Sequence, residues 1–201
     1  MRPRIQKGNV KLGSVPNVSL PPVKTCLKGA PCAKAGECYA LKAWRQYPSV
    51  RTCWSHNLEC YLTEPGLYFD TIAEYCRRRS VHMFRWHSAG DCPDAAYLDG
   101  VIRVAAECPE TRFLLFTKRY AFLYGRLDAL ADVPNLSVVL SAWPGLEIPS
   151  ELVDRFPVAW MQDGSETRVP VDAIECHGGC DACGMCWNLS ELGRDVVFAK
   201  H

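Results

Sequence analysis

The stretch VHMFRWHSAGDCPDAAYLDGVIRVAAECPETRFLLFT, residues 81–117, decides the fold. Its two ends, 81–87 and 112–117, are short apolar runs that are typical of buried strands. Between them, residues 94–107 carry apolar side chains at helical spacing, and Asp91 or Pro93 is placed to start that helix. A strand–helix–strand unit of this kind sets two parallel strands side by side, joined by a right-handed crossover.

The same alternation continues on both sides of this unit. It predicts helices at 66–79, 119–131 and 150–156, and strands at 14–20, 136–143, 157–161 and 195–199. We expect one domain over residues 1–201 with a parallel α/β sheet. Because a closed eight-unit barrel needs about 250 residues, we expect a partial, open TIM-like barrel of five or six parallel strands, followed by a cysteine-rich C-terminal segment. An open doubly wound sheet is the alternative.

Polar side chains follow the predicted strands at their carboxyl ends, where α/β proteins collect functional groups. We predict catalytic roles for His87, Asp91 and Lys118. Each has a plainer interpretation: a hydrogen-bonded core histidine, a helix cap (which spacing alone favours) and a surface lysine. Four further residues at these ends are predicted to bind a cofactor, namely Arg85, Ser88, Thr117 and Ser141.

Composition narrows the function classes. The net charge of +1 and the lack of a basic stripe argue against nucleic-acid binding, and no apolar run of about 18 residues predicts a membrane span. The N-terminus lacks the apolar core of a secretory signal, so we expect a cytoplasmic protein. In that compartment twelve cysteines favour metal or redox chemistry over disulfides, although an even number keeps the disulfide interpretation open.

Seven cysteines form two closely spaced groups. The segment ECHGGCDACGMCW, residues 175–187, has the spacing C-x3-C-x2-C-x2-C, and its glycines allow tight wrapping around an iron–sulfur cluster. Zinc, with His177 as a substitute ligand, is the alternative. The predicted metal ligands of this four-thiol group are Cys176, Cys180, Cys183 and Cys186.

The second group, Cys26, Cys32 and Cys38, follows the first predicted strand with the spacing C-x5-C-x5-C. We call it the three-thiol group and predict that it holds a cluster with one iron left open. Alternatively it completes the four-thiol site, or some of its members are buried as small apolar residues. The other five cysteines are expected in the core.

Several motifs in order resemble one protein family. They are GNVKLG, SLPPVKTC and CYA near the start, RWHSAGD, FLLFTKR and PNLSVVLS in the middle, and C-x3-C-x2-C-x2-CW with VVFAKH at the end. Together they resemble the gene-product-88-like family of phage and prophage proteins, whose function is obscure. That family is in turn distantly similar to radical S-adenosylmethionine barrels, which carry a three-cysteine cluster after the first strand.

The resemblance implies a phage-encoded iron–sulfur protein in the cytoplasm of an infected bacterium, with a 4Fe-4S cluster and redox or radical chemistry of the oxidoreductase or lyase type. The three-thiol group lacks the C-x3-C-x2-C spacing of radical enzymes, and no glycine-rich strand end follows, so both features argue against S-adenosylmethionine as a cofactor. We expect a monomer that binds a small molecule or a redox partner. The alternative is a non-catalytic accessory protein in which the cluster, or zinc, is structural.

Overall fold

The computed structural model describes residues 1–199 of the 201-residue chain, and within that range it forms one mixed α/β unit with a single seven-stranded sheet. The strands are β1 (Asn17–Val18), β2 (Met83–Trp86), β3 (Arg112–Thr117), β4 (Leu136–Ser141), β5 (Val158–Gln162), β6 (Ile174–Glu175) and β7 (Val196–Ala199). Every pairing is parallel, in the order β1-β2-β3-β4-β5-β7-β6.

The α-helices lie in the connections between these strands. They are α1 (Pro31–Lys34), α2 (Tyr39–Gln46), α3 (Pro48–Thr63), α4 (Pro65–Arg78), α5 (Ala95–Glu107), α6 (Leu127–Ala131), α7 (Ser150–Val153), α8 (Cys180–Cys183) and α9 (Leu189–Leu192). Short 3-10 helices cover Tyr120–Phe122 and Met185–Trp187. None of the helices within residues 1–199 is long and apolar enough to cross a membrane.

The parallel sheet was predicted correctly, but its strand count was not. Seven strands form where five or six were expected, because the two-residue strand β6 pairs with β7 at the edge. The sheet is open, since β1 and β6 are its edges and do not pair with each other. Strands β1 to β5 follow chain order, without the central reversal of a doubly wound sheet.

Two local predictions were wrong. The helix expected over 119–131 is broken into the 3-10 helix and α6, because Gly125 between them takes a left-handed conformation with φ of 76°. The helix after β2 is capped by Asp94, whose side chain accepts from the Tyr97 amide, and not by Asp91 or Pro93. The longest helix, α3, was not predicted.

Each face of the sheet packs into its own apolar cluster. On the first face Phe84, Phe113 and Val138 pack against side chains of α3, α4 and α5. On the second face Leu114, Val139 and their neighbours meet no long helix. They are covered by residues 12–15 and 176–189, with Leu12 and Trp187 fully or almost fully buried. The main core and the cysteine-rich segment therefore lie on opposite faces.

Gly100 tests the packing of α5 on α4. A β-carbon at this position would lie 2.1 Å from Cε2 of Phe69, which is itself buried. We predict that Gly100→Ala lowers the free energy of unfolding by about 1–3 kcal/mol, since overpacking outweighs the better helix propensity of alanine. Denaturant titration measures this.

The matched control is Gly66→Ala on α4, where a β-carbon meets nothing within 4 Å. It should leave the free energy of unfolding unchanged or raise it by less than about 1 kcal/mol. Equal effects of the two substitutions would contradict the packing described here.

Candidate functional site

A cavity of about 580 Å³ opens at the carboxyl ends of the strands. Six of the predicted site residues outside the cysteine groups line it: Arg85, His87, Ser88, Asp91, Lys118 and Ser141. The three-thiol group lines it as well. Cys26 lies in the loop before α1, Cys32 lies within α1, and Cys38 directly precedes α2. The structure therefore gathers in one cavity two sets of residues that are far apart in the sequence.

Asp91 organises the loop ends around the cavity. Its carboxylate accepts hydrogen bonds from Thr117 Oγ1 and from the Lys118 amide, both at 2.8 Å, and from the Cys92 amide at 2.7 Å. Burial raises the pKa of Asp91, and these donors act in the opposite direction. Asp91 thus ties the end of β2 to the end of β3. Thr117, predicted to bind a cofactor, is a buried partner of Asp91 and is not among the described lining residues.

Lys118 extends into the cavity from the end of β3. Its ammonium donates to Ser141 Oγ at 3.0 Å and lies 5.7 Å from the ring centre of Trp143. Its charge also favours the thiolate forms of all three thiols of the three-thiol group. Lys118 is therefore a lining cation beside the thiols and is not a fully solvated surface lysine.

His87 is buried, with 4% of its surface exposed. Its Nε2 lies 2.9 Å from the Tyr97 hydroxyl, which is 2.7 Å from the Tyr68 hydroxyl. If Tyr68 donates to Tyr97 and Tyr97 donates to Nε2, both hydroxyl protons find acceptors and Nδ1 carries the imidazole proton. Nδ1 has no hydrogen-bond partner among residues 1–199. Burial and the charge of Arg85 lower the pKa of His87 to about 3, so the ring is neutral.

Arg85 and Ser88 are held in place by hydrogen bonds and a ring contact at the end of β2. Arg85 donates from Nε to the His87 carbonyl at 3.1 Å, and its guanidinium carbon lies 4.8 Å from the ring centre of Phe116. The Ser88 hydroxyl lies 2.7 Å from that of Ser19. Both side chains are therefore positioned at the cavity wall before any ligand binds.

The members of the three-thiol group influence one another directly. The interaction between Cys32 and Cys38 raises the pKa of Cys32 and lowers that of Cys38. Burial raises the pKa of Cys26 to about 11, and Asp91 adds to this rise. Three thiols and one cation, Lys118, thus share one wall of the cavity.

The four-thiol group lies on the second face of the sheet, and none of its members is among the described lining residues of the cavity. Ser137 on β4 donates to the Cys186 carbonyl at 3.0 Å, and Trp187 Nε1 donates to the Phe84 carbonyl on β2 at 3.1 Å. Both contacts lie in the amino-terminal halves of their strands. The end of the cysteine-rich segment therefore packs away from the carboxyl edge where the three-thiol group lies.

The loop that carries the four-thiol group is held in place on both sides. Gly179 and Gly184 flank α8 with left-handed φ values of 66° and 62°, and the Cys180 amide donates to the Lys11 carbonyl at 3.0 Å. Burial raises the pKa of Cys186 to about 12, whereas the charge of Arg85 acts in the opposite direction. The two glycines thus allow the chain to turn sharply at each end of α8.

Neither cysteine group is arranged around a single metal ion. Within residues 1–199, no three His, Cys, Asp or Glu side chains lie close enough together to hold one. A tetrahedral zinc site would bring its sulfur atoms to about 3.8 Å from each other, given Zn–S bonds of about 2.3 Å. The twelve cysteines are all free thiols. Of the five expected in the core, Cys60, Cys76, Cys92 and Cys108 are buried and Cys53 is half-buried.

Sequence reasoning missed several residues of the site. Tyr39 and Trp143 line the cavity, and the Tyr39 hydroxyl donates to the Ser88 carbonyl. Tyr97 supports His87 from the first turn of α5. Tyr39 directly follows Cys38, so adjacency to a candidate ligand was an available signal. No sequence signal linked Tyr97 to His87.

The fold and the cavity define a class: an open, parallel α/β protein with thiols and cations at the carboxyl edge of its sheet. The chain matches the family described as Gene product 88 over residues 3–189, and it belongs to that family. It is also 28% identical over 225 residues to the Gene 88 protein of Mycobacterium phage L5, covering 96% of this chain and 90% of that protein. No solved structure matches the chain. Neither match points to the radical S-adenosylmethionine superfamily.

The neutral, buried state of His87 makes stability depend on pH. The pKa of this side chain is about 3 in the folded protein and about 6.5 in an unfolded chain. Between these values the unfolded state binds more protons, so the free energy of unfolding falls as pH falls. We predict a loss of about 2 kcal/mol between pH 7 and pH 5 from this residue.

Denaturant titrations at several pH values test this. His87→Gln should flatten the pH dependence relative to the wild-type protein. The exposed His82 is the matched control, and His82→Gln should keep the wild-type slope. An unchanged slope in His87→Gln would show that the pKa of this imidazole is the same in the folded and unfolded states, and would contradict the prediction.

Proposed function

We propose that this phage-family protein is an iron–sulfur protein in which a small molecule meets a cluster at the carboxyl edge of the sheet, with redox or radical-type chemistry. The observation that carries the proposal is the placement of Cys26, Cys32 and Cys38 in the wall of the cavity, beside Lys118. Thiolates are soft ligands that suit iron–sulfur clusters.

The two thiol groups are proposed to hold two separate clusters. The four-thiol group offers one thiol to each iron of a 4Fe-4S cluster, which leaves no iron open. The three-thiol group leaves one iron without a protein ligand, and it is this group that faces the cavity. A cluster that exchanges electrons with a bound molecule must be reachable from the cavity. The cluster of the three-thiol group would meet this requirement, and that of the four-thiol group would not.

The thiolate ligands and the repeated C-x2-C spacing of the four-thiol group favour clusters over zinc. In a cluster each thiolate binds a different iron, so the sulfur atoms stand farther apart than around a single ion. His177, the substitute ligand considered for zinc, is not needed.

A cation accompanies each thiol group. Lys118 acts on the three-thiol group and Arg85 acts on Cys180 and Cys186. A positive charge stabilises thiolates and the negative charge of a cluster that they bind. When bound, the cluster supplies one-electron transfer. The chain supplies the ligands, the cations and a cavity that orients a small molecule with Ser141, Ser88 and the neutral His87.

A structural role for the four-thiol group is a second candidate. Its segment covers the face of the sheet that no long helix covers, together with Leu12, Val15 and Trp187. A metal cluster there would crosslink this cover and contribute directly to folding. In that case the protein is an accessory protein, and the cavity binds a molecule without electron transfer.

Iron analysis of anaerobically purified protein tests the proposal. We expect about eight irons per chain and a broad brown absorption in the wild-type protein. Cys186→Ala should lose the iron of one cluster and unfold more easily, and Cys32→Ala should lose the iron of the other. Cys53→Ala is the matched control, because Cys53 is half-buried outside both groups, and it should keep all the iron. His87→Ala should also keep it.

Full iron retention in Cys186→Ala and Cys32→Ala, or colourless protein that contains one zinc, would refute the cluster assignment. Electron paramagnetic resonance after reduction separates the two candidate roles. A signal that changes when small molecules are added supports chemistry at the cavity. A protein that loses stability on iron removal but shows no redox signal supports the structural role.

A further inference from the structure

We propose that the cavity binds a small organic anion with an apolar or aromatic body, and that Lys118 and Arg85 hold its acidic group. The inference rests on the proposed function only in placing this molecule beside the three-thiol cluster. The charge preference itself follows from the protein side chains. The inference restricts the small molecule of the proposed function to one chemical class, the organic anions.

Both cations have unused bonding capacity. Arg85 uses Nε for the His87 carbonyl, while its two terminal nitrogens donate to no protein atom within residues 1–199. Lys118 has Ser141 Oγ as its hydrogen-bond acceptor. Neither side chain forms an ion pair with another described residue. An arginine fork and a lysine ammonium are the groups that proteins use to bind carboxylates and phosphates.

The acidic side chains of the cavity do not cancel this charge. Asp91 is already bonded to three donors, and its charge offsets part of that of Lys118. Glu37 is also not free. Among the described lining residues, Lys11, Arg85 and Lys118 face these two acids, and His87 is neutral. Three cationic side chains therefore stand against two carboxylates among these residues, a local excess of one positive charge.

The walls of the cavity indicate the rest of the molecule. Aromatic and thioether side chains contribute much of the surface, from Tyr39, Phe116, Trp143, Met161 and Phe198. Such walls bury apolar and aromatic groups, and a volume of about 580 Å³ is in the range of small-molecule sites. An inorganic anion would contact the cations but leave the apolar walls unused. An organic anion uses both.

Two dyes that share a ring system test the charge preference. Anilinonaphthalene sulfonate is an aromatic anion, and phenylnaphthylamine is its neutral counterpart without the sulfonate. Isothermal titration calorimetry on the anaerobically purified full chain should show one site per chain, with the anion binding about tenfold more tightly than the neutral dye.

Lys118→Gln and Arg85→Gln should each reduce this preference to about threefold or less, while affinity for the neutral dye stays within twofold. Lys42→Gln, which removes an exposed lysine on α2, is the matched control and should keep the full preference. Two variants are used because either one alone could fail to fold. Equal affinity for the two dyes in the wild-type protein, or a full preference in both variants, would overturn the inference.

Iron content measured on the same samples separates this inference from the proposed function. Iron-free protein that still prefers the anionic dye would support the anion site and refute the clusters. Protein with its full iron content and no preference between the dyes would support the clusters and overturn the anion site.

Discussion

The strands β1 to β5 lie side by side in chain order, and this arrangement leaves one face of the sheet without long helices. Right-handed crossovers between consecutive parallel strands place every connecting helix on the same side. The main-core contacts of α3 to α7 belong to that first face, and Trp54 of α3 packs in a separate small cluster with Ala40 and Ala89. The second face is still apolar, with Leu114 and Val139 almost completely buried. Something other than a helical layer has to cover it, and the two ends of the chain do so.

This requirement explains why the cysteine-rich segment lies where it does. Leu12 from the N-terminal segment and Trp187 from the C-terminal segment supply the apolar cover, and Asp181 joins the two by accepting from the Ser14 amide at 2.9 Å. Both segments contain little regular structure of their own. Their order depends on a few side chains and on hydrogen bonds to the sheet, such as Trp187 to Phe84. The cover therefore depends on these few contacts between segments that are far apart in the sequence.

The sequence predicted those elements whose apolar period was unambiguous. Residues 81–117 gave two strands and a helix close to their final positions, because buried strands and α5 have strong patterns. The helix α3 escaped prediction because its polar and apolar residues do not separate into faces over 48–63. Strand β6 has two residues and depends on pairing with β7, which no local pattern reveals. Functional residues of parallel α/β proteins lie at the carboxyl ends of the strands, and this rule predicted where Asp91 and Lys118 lie. The hydrogen bond between Asp91 and Thr117 could not be predicted in this way, because it depends on the register of β2 and β3.

The position of Arg85 on β2 links the four-thiol group to the cavity that the three-thiol group lines. Along β2, Phe84 and Trp86 face the helices, so Arg85 between them faces the second side of the sheet. From there its charge acts on Cys180 and Cys186, while its own contacts, the His87 carbonyl and the Phe116 ring, lie at the cavity. A shift of β2 by one residue would turn this guanidinium into the helical core, where nothing could balance it. One cation in the middle of a short strand therefore connects the four-thiol group with a cavity built from other parts of the chain.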